Sequence, residues 1–139
     1  MTSAASARCV DSGVMVAAFA PWHERHSNAM SPMVDKPRVV AHSIGEAYSV
    51  LTRLPAPFRA PAAVVATFLA RRFPEDPLSL PSADLLGLLG RLAIAGVHGG
   101  AVYDAIIGAT AGAADCVLLT LDRRAARTYR LVGCSFEVL

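Results

Sequence analysis

Lysine is almost absent from this sequence: Lys36 is the only one beside twelve arginines in 139 residues. Thirteen basic and eleven acidic residues give a net charge of +2 at pH 7. That charge is too small to indicate a nucleic-acid or membrane partner by itself. Charged residues make up only 17% of the chain and hydrophobic residues 54%. A disordered chain is therefore excluded, because disordered chains combine low hydrophobicity with high net charge.

Long hydrophobic runs and paired cysteines are also missing. The longest apolar stretch, 85–97, is interrupted by Arg91 and is too short for a membrane span. The first seven residues lack the apolar core of a signal peptide. Cys9, Cys116 and Cys134 are odd in number and form no CxxC pair, so we expect buried free thiols and no zinc or disulfide framework. We expect a cytoplasmic protein with no membrane partner.

The length of the chain predicts a single domain over residues 1–139, with a core of adequate size. Short apolar segments that predict strands alternate with segments of helical periodicity. We predict strands at 8–10, 38–41, 78–80 (weak), 117–120 and 135–138, and helices at 13–19, 22–30, 44–54, 61–73, 82–96, 101–113 and 123–131. This alternation predicts an α/β fold with right-handed crossovers and a mostly parallel sheet.

Acidic residues follow the predicted strands or lie in the first turns of the helices next to them. They are Asp11, Glu46, Asp104 and Asp122. Ligands of an open parallel sheet bind outside the carboxyl ends of its strands, so this connectivity can bring all four to one edge. No lysine or obvious arginine is placed to neutralise them. Carboxylates this close raise each other's pKa unless a cation lies among them, and their hard oxygens suit Mg²⁺ or Mn²⁺.

Each of these carboxylates also has a structural interpretation. Asp11 and Asp122 are good N-caps for the helices that follow them. Ser43 and Glu46 match a capping box, and for Glu46 alone this interpretation is the favoured one. Asp104 is harder to explain structurally, because its helix is almost wholly apolar and a buried, unpaired carboxylate is costly. Its alternative role is an exposed acid favoured by the helix dipole.

The segments around these acids resemble the PIN-domain ribonucleases, in particular the VapC-type toxins of bacterial toxin–antitoxin pairs. The matching segments occur in order along nearly the whole chain: 10–14 (VDSGV), 46–55 (EAYSVLTRLP), 99–104 (GGAVYD) and 118–122 (LLTLD). Thr120 matches the hydroxyl that the family often carries just before its last acid. Gly13 departs from the family, which often has Ser, Thr or Asn two residues after its first Asp.

The resemblance implies a three-layer α/β/α domain that acts as an endoribonuclease with Mg²⁺ or Mn²⁺. It also implies a small VapB-type antitoxin that blocks the site, and a homodimer. The acidic set of the family maps onto Asp11, Glu46, Asp104 and Asp122. We predict that Asp11 and Asp104 are the principal metal ligands, and that the other two complete the shell directly or through water.

Arginines follow the last acid of the set. Arg123, Arg127 and Arg130 share one face of a predicted helix that begins beside Asp122, so they are candidates for holding RNA phosphates. A solvated helix face is the alternative interpretation. The aromatic candidates for stacking on RNA bases are Trp22, Phe58, Tyr103 and Tyr129.

Other chemistry is poorly supported. His23 and His26, one turn apart, form a competing metal pair, for which a solvated helix face is the favoured interpretation. The sequence offers no Ser-His-Asp or Cys-His arrangement and no phosphate-binding loop that ends in Lys-Ser/Thr. The competing function is a catalytically degenerate PIN-like module that acts only through a protein or RNA partner, with its acids serving as caps.

Overall fold

The computed structural model describes residues 7–139, and its centre is a parallel sheet. The strands are β1 (Arg8–Val10), β2 (Arg38–Val39), β3 (Val117–Thr120) and β4 (Phe136–Val138). Their order is β2-β1-β3-β4, and every neighbouring pair is parallel. The predicted domain start and the expected lack of a signal peptide concern residues 1–6, which lie outside the described residues.

Seven α-helices surround the sheet within residues 7–139. They are α1 (Ser12–Phe19), α2 (His26–Met30), α3 (Ala41–Arg53), α4 (Ala62–Arg72), α5 (Ser82–Ile94), α6 (Ala101–Ala113) and α7 (Ala125–Leu131). A 3-10 helix, Ser31–Asp35, follows α2 directly. None of the described helices is both long enough and apolar enough to cross a membrane.

The two faces of the sheet bury different side chains. In β1, Val10 packs with residues of α1 to α4, and Cys9 packs with residues of α6 and α7. Leu119 and Leu118 of β3 divide in the same way, as the period of two along a strand requires. Helices therefore cover both faces of the sheet, and the predicted three-layer α/β/α fold with a parallel sheet is confirmed.

One edge of the sheet is shorter than the sequence predicts. The predicted strand 38–41 ends at Val39, and Ala41 already begins α3. The predicted strand 78–80 is reduced to a single bridge between Val40 and Leu78. Leu78 N–H donates to Val39 O and Ala41 N–H donates to Leu78 O, both at 2.8 Å. These long-range bonds satisfy the backbone where the strand was expected to continue, and so set the start of α3.

Two helices begin differently from the prediction. The helix predicted at 22–30 begins only at His26, because residues 21–25 form a succession of turns. Ser82 was expected to cap the helix predicted at 82–96, and this expectation is wrong: Pro81 occupies the N-cap position of α5, and Ser82 is the first helical residue. Proline fixes an extended-compatible φ and needs no hydrogen-bond partner for a missing N–H, which suits it to this boundary.

Candidate active site

Asp11 lies where β1 ends and α1 begins, and it is only 5% exposed. Its Oδ1 accepts from Val14 N–H at 3.2 Å, so the predicted N-cap is confirmed. Its Oδ2 accepts from the Tyr129 hydroxyl at 3.0 Å. Burial raises the pKa of this carboxyl, while hydrogen bonds from Thr120, Val14 and Tyr129 oppose the rise. The same side chain is therefore a helix cap and a carboxylate held at the sheet edge.

Asp104 lies in the first turn of α6 and is partly buried. Burial, together with the charges of the other predicted site acids, raises its pKa from 3.8 to about 6. Those acids are Asp11, Asp122 and Glu46. Because such interactions weaken with distance in water and salt, this effect supports the prediction that the four carboxylates lie near one another.

Glu46 is not part of a capping box, and that prediction is wrong. Since α3 begins at Ala41, Ser43 and Glu46 lie inside the helix, and no side chain caps α3. The Ser43 hydroxyl is buried without a hydrogen-bond partner, and so is Oε1 of Glu46. Nε2 of His42 lies 3.9 Å from Oε1. Glu46 therefore has an oxygen that its protein neighbours leave free.

Asp122 follows β3 in an exposed turn whose geometry depends on Thr120. Asp122 N–H donates to Oγ1 of the buried Thr120 at 3.0 Å. Oδ1 of Asp122 accepts from Arg124 N–H at 2.8 Å, so the carboxylate caps this turn. The helix itself begins at Ala125, and its N-cap residue, Arg124, makes no side-chain cap bond. The prediction that Asp122 caps this helix is therefore wrong: Arg124 is the N-cap residue, and Asp122 closes the turn before it.

Divalent-cation binding can be tested against these four side chains. No ion pair within residues 7–139 involves Asp11, Asp104 or Asp122. The charges that raise the pKa of Asp104, and the unpartnered Glu46 oxygen, are what a hard cation would offset. In the described part of the chain, however, no three His, Cys, Asp or Glu side chains form a ready metal-binding group. The residues fit Mg²⁺ or Mn²⁺ in charge and donor type, without a preformed cage.

Comparison with known proteins identifies the family. The PIN domain family model matches residues 8–131. The chain belongs to the PIN-domain family. It is 42% identical over 129 residues to "Ribonuclease VapC40" of Mycobacterium tuberculosis, in the strains CDC 1551 / Oshkosh and H37Rv. The aligned residues make up 93% of this chain and 96% of that protein. "Ribonuclease VapC27" of strain H37Rv is 34% identical over 125 residues, 89% of this chain and 90% of that protein. The resemblance to VapC-type PIN-domain ribonucleases is confirmed.

The arginines of this PIN domain do not form one continuous stripe. The three arginines predicted to hold RNA phosphates are all exposed. Arg123 lies in the turn before α7, whereas Arg127 and Arg130 lie on the helix. Arg127 and Arg130 line a cavity of about 650 Å³ together with His98, and Arg123 is not among its lining residues. The Arg130 guanidinium also lies over the Phe136 ring, 5.4 Å from its centroid. Arg127 and Arg130 thus belong to a cavity of which Arg123, next to Asp122, is not a part.

The competing histidine pair does not assemble in this PIN domain. His23 lies in the turn before α2, where its Nδ1 accepts from Arg25 N–H at 3.0 Å. Nδ1 of His26 lies 2.7 Å from Ala17 O. Each ring is therefore engaged with backbone, and both rings are partly buried, so the favoured interpretation as a solvated helix face is wrong as well. Backbone anchoring explains both histidines.

The aromatic candidates are distributed differently. Trp22 and Phe58 pack on each other with centroids 4.6 Å apart. Tyr129 is only 1% exposed, so its prediction as a base-stacking residue is wrong. Tyr103 is exposed beside Asp104 and stacks on His42. His42 was not among the predicted site residues, although its spacing of four residues from Glu46 was a usable signal.

Proposed function

We propose that this protein is a VapC-type endoribonuclease toxin that cleaves RNA by Mg²⁺- or Mn²⁺-assisted phosphodiester hydrolysis. The observation that carries the proposal is the electrostatic coupling of Asp104 to Asp11, Asp122 and Glu46. Within residues 7–139 no ion pair involves Asp11, Asp104 or Asp122, and acids that raise each other's pKa without such a pair are costly for a purely structural role. The relatives named as ribonucleases over nearly the full chain support the same reaction.

The four carboxylates have separate roles in this proposal. Asp11 and Asp104 hold the cation, and Glu46 and Asp122 complete its shell and orient the attacking water. A bound divalent cation supplies a water of lowered pKa and offsets the charge that develops on the phosphate. Asp11 suits a ligand role because hydrogen bonds to both its oxygens fix its direction. Glu46 suits a water-orienting role because its Oε1 is free of protein partners.

The same proposal covers the partners of the protein. RNA phosphates bind at Arg123, next to Asp122, and at Arg127 and Arg130, which line a separate cavity, because exposed guanidinium groups form strong contacts with phosphate oxygens. A cognate VapB-type antitoxin binds the toxin and blocks the carboxylate site, and the toxin is a homodimer. The VapC names of the relatives support these partners.

A catalytically degenerate binding module is the second candidate. Two observations favour it: Asp11 and Asp122 both make capping bonds, and the described residues contain no ready group of three metal ligands. In this case the acids would act as caps and solubilising groups, and the protein would act only through a protein or RNA partner.

Cleavage of labelled single-stranded RNA with Mg²⁺ or Mn²⁺, and with excess chelator, distinguishes the two candidates. We expect endonucleolytic products with the metal, none with chelator, and nearly none from Asp104→Asn. The metal alone should also raise the melting temperature, since saturation at 100 times Kd stabilises the native state by about 2.7 kcal/mol. Undiminished cleavage in chelator would refute metal assistance. A folded protein with neither cleavage nor a metal-dependent rise in melting temperature would support the binding module.

A further inference from the structure

Tyr129 is the largest fully buried side chain among the described residues, and its hydroxyl contacts a carboxylate of the candidate site. It lies in α7, 118 residues after Asp11, and its hydroxyl donates to Oδ2 of Asp11 at 3.0 Å. A buried tyrosine hydroxyl needs a hydrogen-bond partner. Here that partner is a carboxylate that is itself buried, so each group satisfies the other.

The hydroxyl adds something that the helix cap does not provide. Val14 N–H already bonds to Oδ1 of Asp11, which completes the cap of α1. The Tyr129 hydroxyl occupies one lone pair of the other oxygen, Oδ2. A carboxylate has about four acceptor positions, and the donors of Val14, Tyr129 and Thr120 leave about one of them free for a cation. Two donors on different oxygens fix the plane of the carboxylate, whereas a single cap bond fixes one oxygen.

The packing around the ring shows that the position is shaped for an aromatic side chain. A Cβ atom added at Gly108 would lie 3.0 Å from Cδ1 of Tyr129 and 2.9 Å from Cγ2 of Val132, so only glycine on α6 leaves room for the ring. Phe136 packs on the ring from β4, with centroids 5.9 Å apart. Because apolar contacts hold the ring from several sides, the hydroxyl has little freedom to leave Asp11.

We propose that Tyr129 is a positioning residue, which holds Asp11 in its cation-binding orientation through the bond to Oδ2. The inference rests on the proposed function of Asp11 as a metal ligand. Hydrogen bonds to the ligands of a metal commonly set its affinity, with losses of about 10–100-fold when they are removed. Arg127 and Arg130 flank Tyr129 on the same helix, so α7 carries both the contact to Asp11 and the cavity proposed to hold phosphate.

Tyr129→Phe tests the inference, because it removes the hydroxyl and keeps the ring. Mn²⁺ binding to the full chain without RNA is measured by isothermal titration calorimetry, and RNA cleavage gives kcat and KM. We expect the Kd for Mn²⁺ to rise about 10–100-fold and kcat to fall, with little change in the KM for RNA. Tyr48→Phe is the matched control, since it removes the hydroxyl of an exposed tyrosine, and it should leave the Kd unchanged.

The outcomes separate this inference from the proposed function. Wild-type protein that neither binds Mn²⁺ nor cleaves RNA would overturn the proposed function and this inference with it. Wild-type binding and cleavage matched by Tyr129→Phe would overturn this inference alone. If Tyr129→Phe does not fold, 4-aminophenylalanine and 4-fluorophenylalanine at position 129 replace it. The amino variant keeps a donor and should retain Mn²⁺ affinity, and the fluoro variant should lose it; equal affinities would overturn the inference.

Discussion

His42 lies almost flat against Tyr103, with ring centroids 5.1 Å apart and an angle of 13° between the planes. The Nε2 atom of His42 also lies 3.9 Å from Oε1 of Glu46, one turn further along α3. Tyr103 is the residue before Asp104 on α6. A single imidazole therefore links the helix that carries Glu46 with the helix that carries Asp104.

His42→Ala should reduce RNA cleavage about tenfold, which corresponds to about 1.4 kcal/mol of transition-state stabilisation. The substitution removes the stack on Tyr103 and the imidazole that lies 3.9 Å from Oε1 of Glu46. The stack itself contributes about 0.5–1.5 kcal/mol, so the melting temperature should fall only modestly. His42→Phe keeps an aromatic ring on Tyr103 and should restore the melting temperature but not the full rate. Cleavage by His42→Ala at the wild-type rate would show that the imidazole does not assist the site.

Arg127→Ala and Arg123→Ala should each weaken RNA binding and lower the slope of log K against log salt concentration. Each lost phosphate contact reduces that slope by about one unit, because fewer counterions are released. Binding is measured in the Asp104→Asn background, which we expect to stop cleavage. Arg71→Ala, which removes an exposed arginine from α4, is the control and should leave the slope unchanged. If Arg127→Ala and Arg123→Ala both keep the wild-type salt dependence of RNA binding, these arginines are solvated surface residues that do not contact RNA phosphates.

The elements whose signals are local could be predicted from the sequence. The run 117–120 is β3 as predicted, because four β-forming or apolar residues follow one another there. The helix 101–113 is also as predicted, since Gly99 and Gly100 interrupt the chain just before it. Asp11 and Asp122 could be predicted at the sheet edge because Asp11 directly follows β1 and Asp122 lies two residues after the end of β3.

The features that depend on long-range contacts could not be predicted. The S-x-x-E pattern at Ser43 and Glu46 indicates a capping box locally, but backbone bonds to Leu78 start α3 earlier. No local signal connects Tyr129 with Asp11, because their bond spans 118 residues. The helical period at 123–131 identified a shared arginine face, but it could not show that Arg123 precedes the helix.

Gly108→Ala should destabilise the protein by about 1–3 kcal/mol, because overpacking of a filled core costs that much. The new methyl group would lie 2.9 Å from Cγ2 of Val132 and 3.0 Å from Cδ1 of Tyr129. Gly90→Ala is the matched control inside α5, where nothing lies within 4 Å of an added Cβ, and it should stabilise by about 0.5–1 kcal/mol. Urea unfolding of both variants measures the difference. Equal stabilisation by the two substitutions would contradict the close contact between α6 and Tyr129.

Asp104→Asn should raise the stability of the metal-free protein at neutral pH and have no such effect at acidic pH. Burial, with the charges of neighbouring acids, raises the pKa of Asp104 from 3.8 to about 6 in the folded protein. The folded state therefore binds this proton more tightly than the unfolded state, and its stability falls as the pH rises through about 6. Asparagine carries no ionisable proton at this position, so the variant does not lose stability in this way as the pH rises. Melting in chelator between pH 4 and 8 should show the variant above wild type at high pH, with the gap closing near pH 4.

Asp84→Asn is the matched control, because Asp84 also lies in the first turn of its helix but is exposed. Loss of its interaction with the helix dipole should cost about 0.3–1 kcal/mol, so this variant should melt slightly below wild type at neutral pH. Saturating Mg²⁺ should stabilise wild type and Asp84→Asn, since a ligand that binds only the native state must do so, and should barely affect Asp104→Asn. If Asp104→Asn instead melts below wild type at neutral pH and keeps its response to Mg²⁺, Asp104 behaves as Asp84 does. It would then be an acid at a helix terminus and not a ligand of the cation.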